Sequence, residues 1–503
     1  MYTRSADIEQ ANQILAQWFP SMVERIELEP SRQGRTISAL RIHAGDRTDR
    51  RGVLFVGGTH ARELMNPDAL VDLTVGLLLR YLNGTDWVIG GRRWDGDLLR
   101  TTMEILDVFL LPNANPDGRE YVFDTFRLWR KNRAPLEGTS CVGVDLNRNF
   151  DLIWGVQTRS PAGPLTTSRS PCSDVYVGPS ANSEPETRNV RTLLDDRRIE
   201  CLVDVHSYSE LILHPWGHAP NQTVDPTQRF PLVDTSSWNV LPDDAPDYAE
   251  YITPADLERF EQVGAAAAQA IKDVRGRSYT VQPGTALYPT TGTTSDYAYA
   301  RHVADPTRRK VYGFTFETGP WTGDAEKSFQ PEFPEAQRIM DEAISGLLSI
   351  MHSCVCAIDL IGTHLLDDDS VDALRTVRDE RLAETDAGRA WIELLHRHDA
   401  ELASLVARDE AFANVAAELV ALAAGLADAE RFDASAASEV RGLLDQLERG
   451  DVSTRLRADL RQLRLLTRRL EGRSTDEAID HLRRRPPVRR VAAPPPHRDL
   501  PER

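Results

Sequence analysis

Cysteine is scarce, with five in 503 residues, and the odd count leaves one thiol unpaired or shared between chains. So thin a supply excludes the disulfide framework of small secreted domains. Long apolar runs are missing too: no stretch reaches the roughly 18 unbroken apolar residues of a membrane span. The N-terminus, "MYTRSADIEQANQILAQWF", has no continuous apolar core and no small-residue cleavage site, so it lacks the form of a secretory signal. Positive charge is in deficit. Lys and Arg number 59 against 77 Asp and Glu, a net charge of -18, which argues against non-specific binding to nucleic acid or anionic membrane. These absences predict a cytoplasmic protein with no nucleic-acid or membrane partner. Hydrophobic content, at 41%, is enough for a sizeable core.

Two kinds of pattern follow one another along the chain. Up to about residue 355, apolar strand-like runs ("TISALRIHA", "RGVLFVGG", "KVYGFTFETG") alternate with helical spacing ("NPDALVDLTVGLLLRYL", "FEQVGAAAAQAIKDV", "FPEAQRIMDEAISGLLSIMHSCV"). "MEILDVFLLPNANPDG" reads as a strand running into a turn-rich loop. Such alternation predicts an α/β domain over residues 1–355, a mixed sheet flanked by helices. Residues 356–482 are rich in Ala, Leu, Arg and Glu with apolar residues three and four apart. They predict an all-α region, a bundle or arm, with breaks at Gly442 and Gly450. Residues 483–503 are basic and Pro-rich, the composition of a disordered tail.

His60 and Glu63 lie three apart just after "GVLFVGG", and both can face one metal ion. Zinc in hydrolases takes three protein ligands and keeps a position for water. His206, after the apolar run "LVDV", is a candidate third ligand. Taken singly, each is more often an ordinary polar residue. Arg127, Arg130, Asn147 and Arg148 fall in loops, where guanidinium groups suit carboxylate capture and oxyanion stabilisation as well as plain solvation. Glu317 ends an apolar strand, a costly place for a carboxylate unless something nearby stabilises it.

With these residues in view, the chain resembles the zinc carboxypeptidases of the carboxypeptidase A and B type. The matching segments are "GTHAREL", "NANPDGREY", "RLWRKNR", "CVGVDLNRNF", "SPCSDVYVGPSANSEPET", "DVHSYSELILHPWG", "ALYPTTGTTSDYAY" and "YGFTFETG", in the family's order. The resemblance implies a single zinc ion held by His60, Glu63 and His206, with Glu317 as general base. It implies that Arg130 polarises the scissile carbonyl and that Asn147 and Arg148 grip the substrate's terminal carboxylate. Tyr288 would close over the substrate, and Arg127 would serve a further subsite. It also implies unusual cis peptides after His206 and at Pro215, and peptide or protein C-termini as substrates.

The same resemblance makes Ser295 the floor of the specificity pocket, where members preferring Lys or Arg have Asp and those preferring apolar side chains have an apolar residue. With Thr290 and Thr315 beside it, the expectation is a neutral C-terminal residue. Asp296 follows that position in the family anyway. The acidic residues Asp243, Asp244, Asp247 and Glu250 read as a rim that draws basic peptides or as a solvated loop. Cys141 and Cys172 match a pair bridged in extracellular members, and secretion is the alternative if they are bridged here. Cys354 and Cys356 are read as packing residues. The catalytic pattern begins near Met1, so the expectation is a chain without an inhibitory pro-domain, and the C-terminal helices are a candidate gate, oligomerisation surface or partner site. Two other functions fit the sequence. One is cleavage of a peptidoglycan stem peptide or polyglutamate. The other is an interaction protein that binds C-termini, which the complete ligand set and Glu317 argue against.

Overall fold

A computed structural model describes residues 1–354 except 46–49, 162 and 231–247, short stretches between 374 and 406, and residues 409–487. The chain divides into two units, Met1–Leu360 with Asp399–Arg408, and Ile361–His398 with Asp409–Arg503.

An eight-stranded mixed sheet organises the first unit. Its strands are β1 (Val23–Glu27), β2 (Ser38–Ile42), β3 (Arg51–Gly57), β4 (Leu106–Leu111), β5 (Ile199–His206), β6 (Leu211–His214), β7 (Thr280–Pro283) and β8 (Tyr312–Glu317), in the spatial order β1-β2-β4-β3-β5-β8-β6-β7. The four central strands β4, β3, β5 and β8 run parallel. Parallel strands are covered on both faces, so they read as continuous apolar runs rather than alternating ones.

The period of two still decides which core each side chain enters. Val53 and Phe55 of β3, with Val203 and Val205 of β5, join one core; Leu54 and Val56, with Leu202, join the other. Helices α1 (Met65–Asn83), α4 (Pro254–Arg275) and α6 (Phe333–Ser353) cover the first face. Helices α3 (Pro185–Asp196) and α5 (Thr294–Ala304) contribute Leu193, Leu194, Tyr297 and Ala298 to the second. α1, α4 and α6 coincide with or extend the helical spacing read in the sequence, whereas α3 and α5 were not marked by it.

One turn-like segment is a helix start instead. Asn115 caps α2 (Pro116–Asp124), its Oδ1 accepting the Gly118 N–H at 3.0 Å. Asn-Pro-Asp-Gly has turn composition, but Asn at an N-cap with Pro directly after it suits a helix equally well.

Cys354 departs from its expected packing role, while Cys141 and Cys172 form the pair that the resemblance matched. Cys354 is bridged to Cys201 across 153 residues, and Cys141 to Cys172. Cys354 caps the end of α6, and packing of α6 over the sheet brings it to β5. Cys356 lies outside the described residues.

The second unit contains α7 (Glu410–Asp428), α8 (Ala434–Arg449), α9 (Thr454–Leu470) and α10 (Thr475–Arg484). Gly450 caps α8, whereas Gly442 lies inside it; one helical glycine lowers stability without breaking the helix. The window Glu410–Ala427 is long and apolar enough to cross a membrane by length and composition, and 33% of it is buried. Phe412, Ala416, Val420 and Ala424 form its buried stripe at four-residue spacing. Helix α10 ends at Arg484, just before Pro486 and Pro487, and the rest of the basic tail lies outside the described residues.

Candidate active site

Three strand ends converge at the carboxyl edge of the parallel strands, the usual location of ligand crevices in α/β sheets. After β3, Gly58 takes a left-handed φ of 70°, and the chain turns to present His60 and Glu63. His206 is the last residue of β5, and Glu317 the last of β8. Among the described residues, His60, Glu63 and His206 are the group of His, Cys, Asp or Glu whose donor atoms all lie within 4.8 Å of one another.

The geometry of that group is specific. His60 Nδ1 lies 2.9 Å from His206 Nδ1 and 2.9 Å from Glu63 Oε1, and Glu63 Oε2 is 3.1 Å from His206 Nδ1. Both Nε2 atoms face carboxylates: Asp145 Oδ1 at 3.1 Å for His60, and Asp204 Oδ2 at 3.0 Å for His206. A carboxylate only accepts, so the His60 Nε2 carries the hydrogen, and the Asp204 charge favours the same tautomer of His206. In neutral rings both Nδ1 lone pairs then point at each other and at Glu63. That arrangement repels unless positive charge sits between them. Two imidazoles and a carboxylate, each imidazole held by an outer carboxylate, is the donor set of a zinc site with an open position.

Electrostatics agree. Burial opposes the charged form of His206, but Asp204 and Glu63 outweigh it and hold its pKa well above the usual value. His60 moves the other way, lowered by burial and by Arg130. Burial would raise Glu63, yet the two imidazoles keep it below the ordinary carboxylate range.

A cavity of about 350 Å³ opens over this cluster and is also lined by Arg130, Asn147, Arg148, Tyr288, Ser295 and Glu317. Arg130 donates from Nε to Asp145 Oδ2 at 2.9 Å, so Asp145 ties it to His60. Burial works against the Arg130 charge, but Asp145 raises its pKa above the usual guanidinium value. Loss of bulk water pushes the Glu317 carboxyl up to about 8, despite His206 nearby; a dication beside it favours the ionised form. Asn147 Oδ1 accepts from the Thr294 N–H at 2.9 Å, while its Nδ2 faces His206 Nε2 at 3.4 Å. Arg148 spends Nε on the Thr166 carbonyl at 2.7 Å and Nη1 on its own neighbour's, Asn147, at 2.6 Å.

The zinc carboxypeptidase family model matches residues 8–343, which contain every one of these groups. The chain belongs to the zinc carboxypeptidase family. It is 29% identical over 301 residues to carboxypeptidase A4 of Mus musculus, and 31% identical over 300 residues to carboxypeptidase A2 of Rattus norvegicus. Each match covers 59% of this chain and 58% of the relative, so it spans less than two thirds of either curated protein. Its fold resembles thrombin-activatable fibrinolysis inhibitor, with a TM-score of 0.54 and 23% identity over 70% of this chain and 74% of that one. The carboxypeptidase family is zinc-dependent in general.

Within that family frame, one position stands apart. Arg127 does not line the cavity; its exposed guanidinium pairs with Glu326 at 2.5 Å. Arg62 lines the cavity instead, donating to the Leu128 carbonyl at 3.3 Å and stacking 4.3 Å over Phe329. It sits inside "HARE" between two of the ligands, which was the available signal. Asp145 and Asp204 carry a signal of the same kind, a carboxylate within each of the apolar stretches "GVDL" and "LVDV" that is costly without a partner. The Ser207-Tyr208 and Pro215-Trp216 peptides are cis. Glu250 is no part of an acidic rim: it is buried against His218 at 2.8 Å. Asp243, Asp244 and Asp247 lie outside the described residues.

Proposed function

We propose that the chain is a zinc-dependent carboxypeptidase that removes the C-terminal residue of peptides or proteins. The observation that carries this is the pair of imidazole Nδ1 atoms 2.9 Å apart, both turned on Glu63 and both backed by carboxylates. A zinc ion held by His60, Glu63 and His206 would supply a Lewis acid and lower the pKa of a water.

The remaining steps belong to the chain's own residues. Arg148 and Asn147 hold the substrate's terminal carboxylate, which fixes the last peptide bond over the cluster. Arg130, oriented by Asp145, presents its Nη groups to the carbonyl oxygen as charge develops there in the transition state. Glu317 takes a proton from the attacking water at its carboxylate and returns it to the leaving amine nitrogen. Tyr288, within hydrogen-bonding reach of Arg148, covers the bound end and limits water.

Hydrolysis of N-blocked dipeptides by purified protein tests this. A chelator should stop turnover and zinc should restore it; turnover that ignores the chelator refutes the metal reading. Glu317→Gln should retain stoichiometric zinc while kcat falls about 10²- to 10⁴-fold. An unchanged kcat removes Glu317 from the mechanism.

The compartment we propose is an oxidising one rather than the cytoplasm, because Cys141–Cys172 and Cys201–Cys354 are both bridged and disulfides persist in such spaces. Alkylation and mass spectrometry of protein from its native source should find both pairs protected. Four free thiols would return the assignment to the cytoplasm.

A further inference from the structure

The cavity wall away from the cluster is rich in hydroxyls and has one neutral ring: His214, Thr290, Thr293, Ser295 and Thr315, beside Leu213. Three of these groups have hydrogen-bonding capacity to spare. Thr315 donates its hydroxyl to Ser295 Oγ at 3.2 Å, so the Ser295 hydrogen is still to be placed. Thr293 Oγ1 is buried with no partner, although the residue is only 7% exposed. Its neighbours are committed elsewhere, Thr291 to the Val156 carbonyl and Thr294 to Asn147 Oδ1. A buried hydroxyl with no partner in a cavity wall calls for an explanation, and a ligand's polar atom reaching it on closure of the pocket is one.

His214 supplies the complementary element. Its Nδ1 lies 2.8 Å from the Pro215 carbonyl, which only accepts, so Nδ1 carries the hydrogen and Nε2 is left as an acceptor. Burial lowers its pKa to about 4, which keeps the ring neutral, and the ring is stacked 5.5 Å from Phe260. Asp296 also lines this wall, and its charge is already partnered. Ser295 carries none, and Asp296 is engaged by the Gly217 N–H at 2.8 Å and by His218 at 3.7 Å.

We propose that this recess selects C-terminal residues with an uncharged primary amide side chain, Asn or Gln, over apolar side chains of the same shape, with Thr293, Ser295 and His214 as the specificity-determining residues. The proposal rests on the carboxypeptidase reading above. An amide offers two N–H donors and an acceptor oxygen, matching one bare acceptor and hydroxyls that turn either way. Leu and Met have the size of Asn and Gln, but they leave those buried groups unpaired. Sites built to bond a polar group discriminate strongly against analogues that lack it.

N-blocked dipeptides ending in Asn, Leu, Gln, Met, Lys and Phe test this in two ways, by kcat/KM on the zinc-loaded enzyme and by competitive binding to the Glu317→Gln protein. Asn over Leu and Gln over Met, each by about 10-fold or more, is the expected result. Thr293→Val, a near-isosteric change, should bring the Asn-to-Leu ratio towards one. Turnover that favours Leu, Met or Phe, or Lys over Gln, overturns the proposal and leaves the peptidase reading standing. The amide preference in binding without any turnover overturns the peptidase reading alone. Loss of both overturns both.

Discussion

Glu317 and His206 are register partners on adjacent parallel strands, the last residue of β8 beside the last residue of β5. Immediately after Glu317, both the N–H and the Oγ1 of Thr318 bond to the His206 carbonyl at 2.8 Å. The carboxylate proposed as base is therefore positioned against a proposed ligand by the sheet's own hydrogen bonds, not by a flexible loop. Catalytic geometry held on strands is more exact than geometry held on loops.

Asp204 should matter through the metal rather than through substrate. It faces the His206 ring at 3.0 Å and accepts from Thr59 Oγ1 at 2.8 Å, beside the proposed ligand His60. Asp204→Asn should weaken zinc affinity about 10- to 100-fold, read by competition with a chromogenic chelator. Unchanged affinity with impaired turnover would count against this role.

The Cys201–Cys354 bridge joins β5, which carries His206, to the end of α6. Replacing both with Ala should lower stability by about 2–5 kcal/mol, seen as a lower Tm in calorimetry. A Tm within a degree or so of the wild type would deny the bridge any stabilising role.

His218 gives a pH dependence of defined sign. It lies between Glu250 at 2.8 Å and Asp296 at 3.7 Å. Burial opposes its charge, but Asp296 and Glu250 raise its pKa from 6.5 to about 9. The folded state binds this proton more tightly than the unfolded state does, so the stabilisation is fully present below pH 6.5 and is lost as pH rises through about 9. Tm should fall over that window by an amount corresponding to about 1–3 kcal/mol. His218→Gln should flatten the fall, and an identical pH profile in the variant would assign the effect elsewhere.

Gly442 occupies a helix interior with nothing within 4 Å of where a Cβ would stand. Gly442→Ala should therefore stabilise α8 by about 0.4–1 kcal/mol, chiefly by restricting the unfolded chain. Circular dichroism melts would register the gain as a higher midpoint. A lower midpoint would mean that the helix is not formed as described.

Much of this protein follows from its sequence. An apolar run such as "GVLFVG" fits a buried parallel strand, because a strand covered on both faces is apolar on both. Helical spacing located α1, α4 and α6 to within a few residues. His60, Glu63, His206, Glu317, Arg130, Asn147 and Arg148 fall in short motifs of the primary chain, and the fold brings them together around one cavity and cluster. Other features depend on contacts between segments far apart in sequence. Neither Cys201 nor Cys354 marks the other locally, and only the packing of α6 over the sheet joins them. Arg127 reads like its neighbours, yet backbone direction turns it out to Glu326 and leaves Arg62 in the cavity. Asp145 becomes the partner of the His60 imidazole only when its loop meets the turn after β3, whereas Asp204 and His206 share a face of β5 two residues apart. Local pattern fixes what each segment becomes, since it reflects burial over a few residues. Strand order and register fix which side chains meet, and those are set by pairing across the whole sheet.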